Sequence, residues 1–290
     1  VLLYGIAACR MITRQGCGAF VRQQAVPGAP MADYSQIDRS TLLSFLFYPR
    51  RDFTPCPEGA FDLLVPVEGK ISIVCRFYAG DKSWPWLLYF HGNGEVVSDF
   101  DEIAPFYHER EINLVVADYR GYGASGGSPS FTSLFQDALS ILKGVQEELI
   151  RKGLEKDLWV MGRSLGSLSA VELAYHYPDR MKGMVIESGF ASVTRLIKHL
   201  NLPSRGIDLE PIEQERLAMI RKISSPALII HGEFDMLVPI QEAKDLYKFL
   251  GSARKKLVVI PNADHNTIMF AGLKQYFTEI REFIEATRLE

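Results

Sequence analysis

No apolar run in this chain of 290 residues approaches the roughly 20 needed to cross a bilayer as a helix, so no membrane span is expected. Cysteine is scarce: Cys9, Cys17, Cys56 and Cys75 show no metal-ligand spacing, and Cys75 falls inside an apolar strand-like run. Neither a zinc module nor any other metal or cofactor site is expected. No sign of charge dominates either. A formal net charge of −3, with basic residues scattered rather than bunched, gives no electrostatic reason to expect nucleic acid as a partner. Internal repeats and low-complexity tracts are absent as well. A chain of this length that is 47% hydrophobic can bury one large core, and a small neutral molecule is the partner that fits best.

The most informative segment is Gly162-Arg163-Ser164-Leu165-Gly166, entered from the apolar run Leu158-Trp159-Val160-Met161 and left through a helix-like stretch. Gly-x-Ser-x-Gly describes a strand-to-helix turn so sharp that the flanking positions have no room for a Cβ. Ser164 would then stand at a helix N-terminus, where unpaired N–H groups and the positive end of the dipole favour developing negative charge. Two later strand-like runs end in residues that would complete the chemistry. Ala227 to Ile230 leads into His231-Gly232-Glu233-Phe234-Asp235, and Lys256 to Ile260 leads into Pro261-Asn262-Ala263-Asp264-His265. In the order Ser164, Asp235, His265, the histidine acts as general base and acid while the carboxylate fixes its tautomer. Trp86 to Phe90 breaks at His91-Gly92-Asn93-Gly94-Glu95, which offers backbone donors for an oxyanion. The N–H groups of Leu165 and Asn93 are the expected pair.

With these segments the chain resembles serine hydrolases of the α/β-hydrolase fold, over roughly residues 60–290. Asp118-Tyr119-Arg120-Gly121-Tyr122-Gly123-Ala124-Ser125-Gly126 is similar to a structural turn many members carry after the fourth strand. The resemblance implies a mostly parallel eight-stranded sheet with helices on both faces and a short cap at about residues 190–225. Strands are expected at 61–67, 71–78, 86–90, 112–117, 158–161, 182–187, 226–230 and 256–260. Helices are expected at 96–110, 132–151, 165–177, 241–250 and 272–286, from apolar residues at helical spacing. Candidate site residues all follow strand carboxyl ends, where open α/β sheets place their sites.

Residues 1–59 read as an N-terminal extension and linker. Up to Ala32 the chain has three arginines and no acidic residue, and it ends in Pro27-Gly28-Ala29-Pro30. Three readings stay open for residues 1–30: the tail of a secretory or lipoprotein signal around residues 1–9, a leader preceding a start at Met31, or a helix packed on the domain. The expected location is cytoplasmic, or secreted or lipid-anchored if the signal reading holds. Within the cap, charged residues leave few consecutive apolar positions, which argues against a greasy lid. Leu196, Ile197, Leu200, Leu202 and Ile207 either line an acyl pocket or dock the cap.

The expected activity is therefore metal-free serine hydrolysis of carboxylic esters with short to medium acyl chains. A thioesterase, including a protein deacylase, or a peptidase would use the same machinery, and a hydrolase-fold binding protein without turnover is the alternative from another class. A serine at the elbow, rather than an aspartate, argues against the epoxide-hydrolase and dehalogenase branches. His91, His108, His176, His199 and His231 read as structural or surface residues. Glu187, at the end of its strand, is the one rival to Asp235, because some α/β-hydrolases place the acid there.

Overall fold

The computed structural model describes residues 33–154 and 156–288, so the readings for residues 1–30 lie outside the described residues. Among them, eight strands form one sheet in the order β1-β2-β4-β3-β5-β6-β7-β8. The strands are β1 (Ala60–Glu68), β2 (Ile71–Tyr78), β3 (Trp86–Phe90), β4 (Asn113–Ala117), β5 (Leu158–Arg163), β6 (Met184–Glu187), β7 (Ala227–Gly232) and β8 (Lys255–Ile260). The β1–β2 hairpin and the β2–β4 pair are antiparallel, and every later pairing is parallel. All eight strands fall on the expected runs. The open α/β-hydrolase sheet follows from the sequence for a plain reason. Strands β3 to β7 are covered on both faces and read as continuous apolar runs, whereas edge strand β1 alternates between exposed and half-buried positions.

The helices are α1 (Ser35–Asp38), α2 (Leu43–Leu46), α3 (Ala104–His108), α4 (Phe131–Arg151), α5 (Gly166–His176), α6 (Val193–His199), α7 (Glu210–Lys222), α8 (Ile240–Phe249), α9 (Ile268–Ala271) and α10 (Leu273–Arg288). One core gathers α4, α5, α7 and α8 against one face of the sheet; the second gathers α3, α9 and α10 against the other. The expected helix at 96–110 is instead a 3-10 turn at Val97–Phe100 followed by short α3. Pro105 sits in the first turn of α3, where its missing N–H costs nothing.

Residues 34–48 pack closely on the sheet domain. Tyr34, Ile37, Leu42 and Phe47 are buried in the first core, and the Tyr34 ring stacks on Phe135 at 4.5 Å. The Asp38 carboxylate accepts from the N–H groups of Phe131 and Thr132 and from the Thr132 hydroxyl, at 2.7, 3.1 and 2.5 Å. It thereby supplies orphan donors at the start of α4 with an anionic acceptor, which is also the favourable sign for that end of the helix dipole. The proline-punctuated stretch that follows, residues 49–57, is exposed or half-buried along its length.

Candidate active site

The turn between β5 and α5 has the geometry its glycines imply. Ser164 has φ of +50°, a left-handed conformation that few residues with a side chain adopt, and its N–H donates to the Glu187 carbonyl at 2.9 Å. A Cβ on Gly162 would run into the main chain of Gly166, and one on Gly166 into the Phe90 carbonyl. Only glycine lets α5 approach β3 and β5 this closely. Ser164 is half-buried, with α5 starting two residues on.

Asp235 and His265 meet across the loops that follow β7 and β8. His265 Nδ1 lies 2.7 Å from Asp235 Oδ2, and both residues are buried. A carboxylate can only accept, so Nδ1 carries the proton in this contact. Asp235 Oδ1 accepts from the Leu237 and Val238 N–H groups at 3.0 and 2.7 Å, which fixes the carboxylate plane. His231 stands behind it: Nε2 donates to the Val238 carbonyl at 2.8 Å and lies 3.4 Å from Asp235 Oδ2. Burial holds the His231 pKa below its ordinary value, so the ring is a neutral buttress.

Glu187 is engaged elsewhere. Its carboxylate accepts from the hydroxyls of Tyr89 and Tyr276 at 3.0 and 2.7 Å and from Arg163 Nε at 3.1 Å. Burial, then the charge of Glu187, pushes both phenols far up, so they remain neutral donors. The one rival to Asp235 in the sequence is thus held in a buried cluster of its own. Asp264, next to the histidine in sequence, caps the N–H groups of Asn266 and Thr267 at 2.9 Å each.

The loop after β3 is held from three sides. The Gly92 N–H donates to Glu95 Oε2 at 2.6 Å, and the other Glu95 oxygen pairs with Arg163 Nη1. The Asn93 carboxamide donates to the Leu46 carbonyl at 3.0 Å and accepts from the Tyr48 N–H and the Tyr122 hydroxyl at 2.9 and 2.6 Å. His91 is structural, as its position before a glycine suggests: Nδ1 bonds the Gly92 carbonyl at 2.8 Å and Nε2 lies 3.2 Å from Asp118. Asp118 also accepts from the Val97 N–H at 3.0 Å, which ties the Gly-rich turn to this loop.

Cap residues Ile197, Leu196, Leu202 and Ile207 pack against the core, whereas Leu200 is half-buried outside that cluster. Arg163 and Glu95 carry no functional signal in the sequence. Charged residues in loops are ordinarily solvated, and no local pattern marks a pair destined to meet between strand ends. The motif points to the N–H of Asn93, while its side chain, bonded to residues 46 and 48, carries no local signal.

The family described as serine aminopeptidase, S33, matches residues 84–206 and 213–269. The chain is 32% identical over 210 residues to the protein bem46 of Schizosaccharomyces pombe, covering 70% of this chain and 68% of that protein. It is 28% identical over 190 residues to the uncharacterized protein YfhR of Escherichia coli K12, covering 64% of each. A Saccharomyces cerevisiae relative named as an uncharacterized membrane protein is 30% identical over 183 residues, with 62% of this chain and 63% of that protein covered. The chain thus spans a little under two thirds of the latter two. Among solved structures, the Pyrococcus furiosus esterase Pf2001 superposes with a TM-score of 0.67 at 17% identity, over 82% of this chain and 98% of that one. Est1E of Butyrivibrio proteoclasticus with ferulic acid bound superposes with a TM-score of 0.61 at 18% identity, over 79% of this chain and all of that one. At such identities the superpositions establish the fold alone.

Proposed function

Because the chain belongs to the α/β-hydrolase family described as serine aminopeptidase, S33, we propose that it is a serine hydrolase cleaving carboxylic esters of short to medium acyl chain through an acyl-enzyme intermediate. The observation that carries the reading is the 2.7 Å contact between His265 Nδ1 and Asp235 Oδ2, made by two loops thirty residues apart at the sheet edge that also bears Ser164. In the proposed reaction Ser164 Oγ attacks the carbonyl carbon as His265 Nε2 takes its proton. The imidazolium then returns that proton to the leaving alcohol. Water, deprotonated by the same nitrogen, attacks the acyl-serine, and the acid departs as the proton goes back to Ser164. The tetrahedral oxygen would be held by the N–H groups of Leu165 and Asn93, since the Gly92 N–H is already committed to Glu95.

The acyl preference rests on the cap. Its helices α6 and α7 dock apolar side chains on the core and, apart from the buried Arg216, turn most of their charge outward, leaving little surface to shelter many methylenes, each worth about 0.8 kcal/mol on leaving water. The family description favours one second reading, an amide substrate with a free amino terminus, which the same residues would serve. A panel of p-nitrophenyl esters from C2 to C16, acyl-thioesters and aminoacyl amides separates them. The expected kcat/KM maximum falls on esters at or below medium chain length. A maximum at C16, or turnover of aminoacyl amides well above esters, contradicts the proposal.

A further inference from the structure

Arg163, the residue between Gly162 and Ser164, is nearly enclosed and touches one strand end and two loops at once. Its Nε donates to Glu187 Oε1 at the end of β6, and its Nη1 pairs with Glu95 in the loop after β3. Its Nη2 donates to the His265 carbonyl at 2.8 Å and lies 3.3 Å from Asn266 Oδ1, in the loop after β8. Burial alone would lower the guanidinium's pKa, but Glu187 and its neighbours more than offset this and the net displacement is upward. The residue is therefore a fixed cation on the same strand end as Ser164. The planar fork matches these acceptors in a way an ammonium cannot.

The histidine loop has few other anchors toward the serine. Its remaining bonds run within the loop, through Asp264, or to the β7 loop, through the Phe234 N–H to the Ala263 carbonyl and the Asn262 N–H to Glu233. Asp235 fixes the tilt of the imidazole. Of the bonds that reach this loop from the elbow, those of Arg163 grip the main chain of His265 itself. We propose that Arg163 is a positioning residue that sets the reach of His265 to Ser164, by holding the histidine's backbone to the strand end that carries the nucleophile. This rests on the serine-hydrolase reading above, and it adds to the motif a function for a side chain that the elbow geometry leaves free to vary.

The test uses the full chain, p-nitrophenyl butyrate and a fluorophosphonate probe. In Arg163→Lys, kcat and the probe's labelling rate should fall 10- to 100-fold with KM changed less than threefold, because misplaced bases slow chemistry rather than binding. In a His265→Ala background, where residual turnover comes from the oxyanion site and binding, Arg163→Lys should cost no more than twofold. An unchanged kcat, a KM that rises in step with the loss, or an equal loss in the His265→Ala background each overturns the proposal. Glu187→Gln keeps the arginine and its volume but weakens its anchor, and carries the same test should Arg163→Lys fail to fold. A three- to tenfold loss that vanishes without His265 is expected, and one that persists there overturns the proposal. Failure of the underlying reading looks different: the unmodified protein would not react with the probe at Ser164.

Discussion

A histidine flanked by Asp264 and Asn266 takes its ring orientation from neither. Asp264 caps the turn that follows, and Asn266 faces Arg163, so the ring of His265 is set by Asp235, thirty positions earlier. The two carboxylates that compete for this role in the sequence are separated by geometry. Asp235 accepts the imidazole proton, whereas Glu187 spends its oxygens on two phenols and a guanidinium. Removing the charge from the true partner should favour the wrong tautomer. Asp235→Asn is thus expected to lower kcat by up to about 10⁴-fold, and Glu187→Gln by no more than about tenfold on the positioning argument above. Steady-state kinetics on the two variants check this, and a reversed order would move the acid to β6. The preference for Asp235 was legible in the sequence, because a loop just past an apolar run and before the histidine's own strand is a placement that linear order can express. What Glu187 does instead was not legible, since Tyr89 and Tyr276 lie 98 and 89 residues away and nothing local announces the meeting.

At the scale of elements, the site is produced by close approach. Helix α5 is buried on almost every side, and the first residue of that helix presses on β3 through a contact that admits no methyl group. Gly166→Ala must push α5 off the sheet, and should cost about 3 kcal/mol or more from overpacking against a main chain that cannot yield. A melting temperature lowered by roughly 5–10 °C, with esterase activity lost in the folded fraction, is the expected outcome. An alanine variant as stable as the original protein would mean that the elbow is looser than described. The strands were legible for the same reason that the elbow was: full burial makes them uninterrupted apolar runs bounded by turn residues. The helix expected over 96–110 was not. Its apolar spacing is real, but the chain bends so that Val97 and Phe100 reach the core beneath a loop held by Asp118.

Across the whole molecule, residues 34–48 and the loop after β3 form one unit. A stretch that reads as linker buries Tyr34, Ile37, Leu42 and Phe47, caps α4 through Asp38 and clasps the Asn93 side chain through Leu46 and Tyr48. Its apolar residues are frequent but fall in two stretches too short for a helical or strand period to mark a packed element, so only the fold shows where they go. Stability should also carry a pH signature from His231. Its folded pKa lies below the ordinary 6.5, so the unfolded chain takes up a proton that the folded one resists. The contribution of the neutral ring is intact above pH 6.5 and is lost as pH falls below it, at up to about 1.4 kcal/mol per pH unit. Urea midpoints for the protein and for His231→Asn, compared at pH 7.5 and 5, should show the smaller acid loss in the variant; equal losses contradict this origin. Every step proposed for the site needs Ser164 to be an activated nucleophile, and intact mass spectrometry after treatment with a fluorophosphonate tests that most directly. One adduct on the unmodified protein, located on Ser164 and absent from Ser164→Ala, is the predicted result. No adduct, or one that survives in Ser164→Ala, contradicts it.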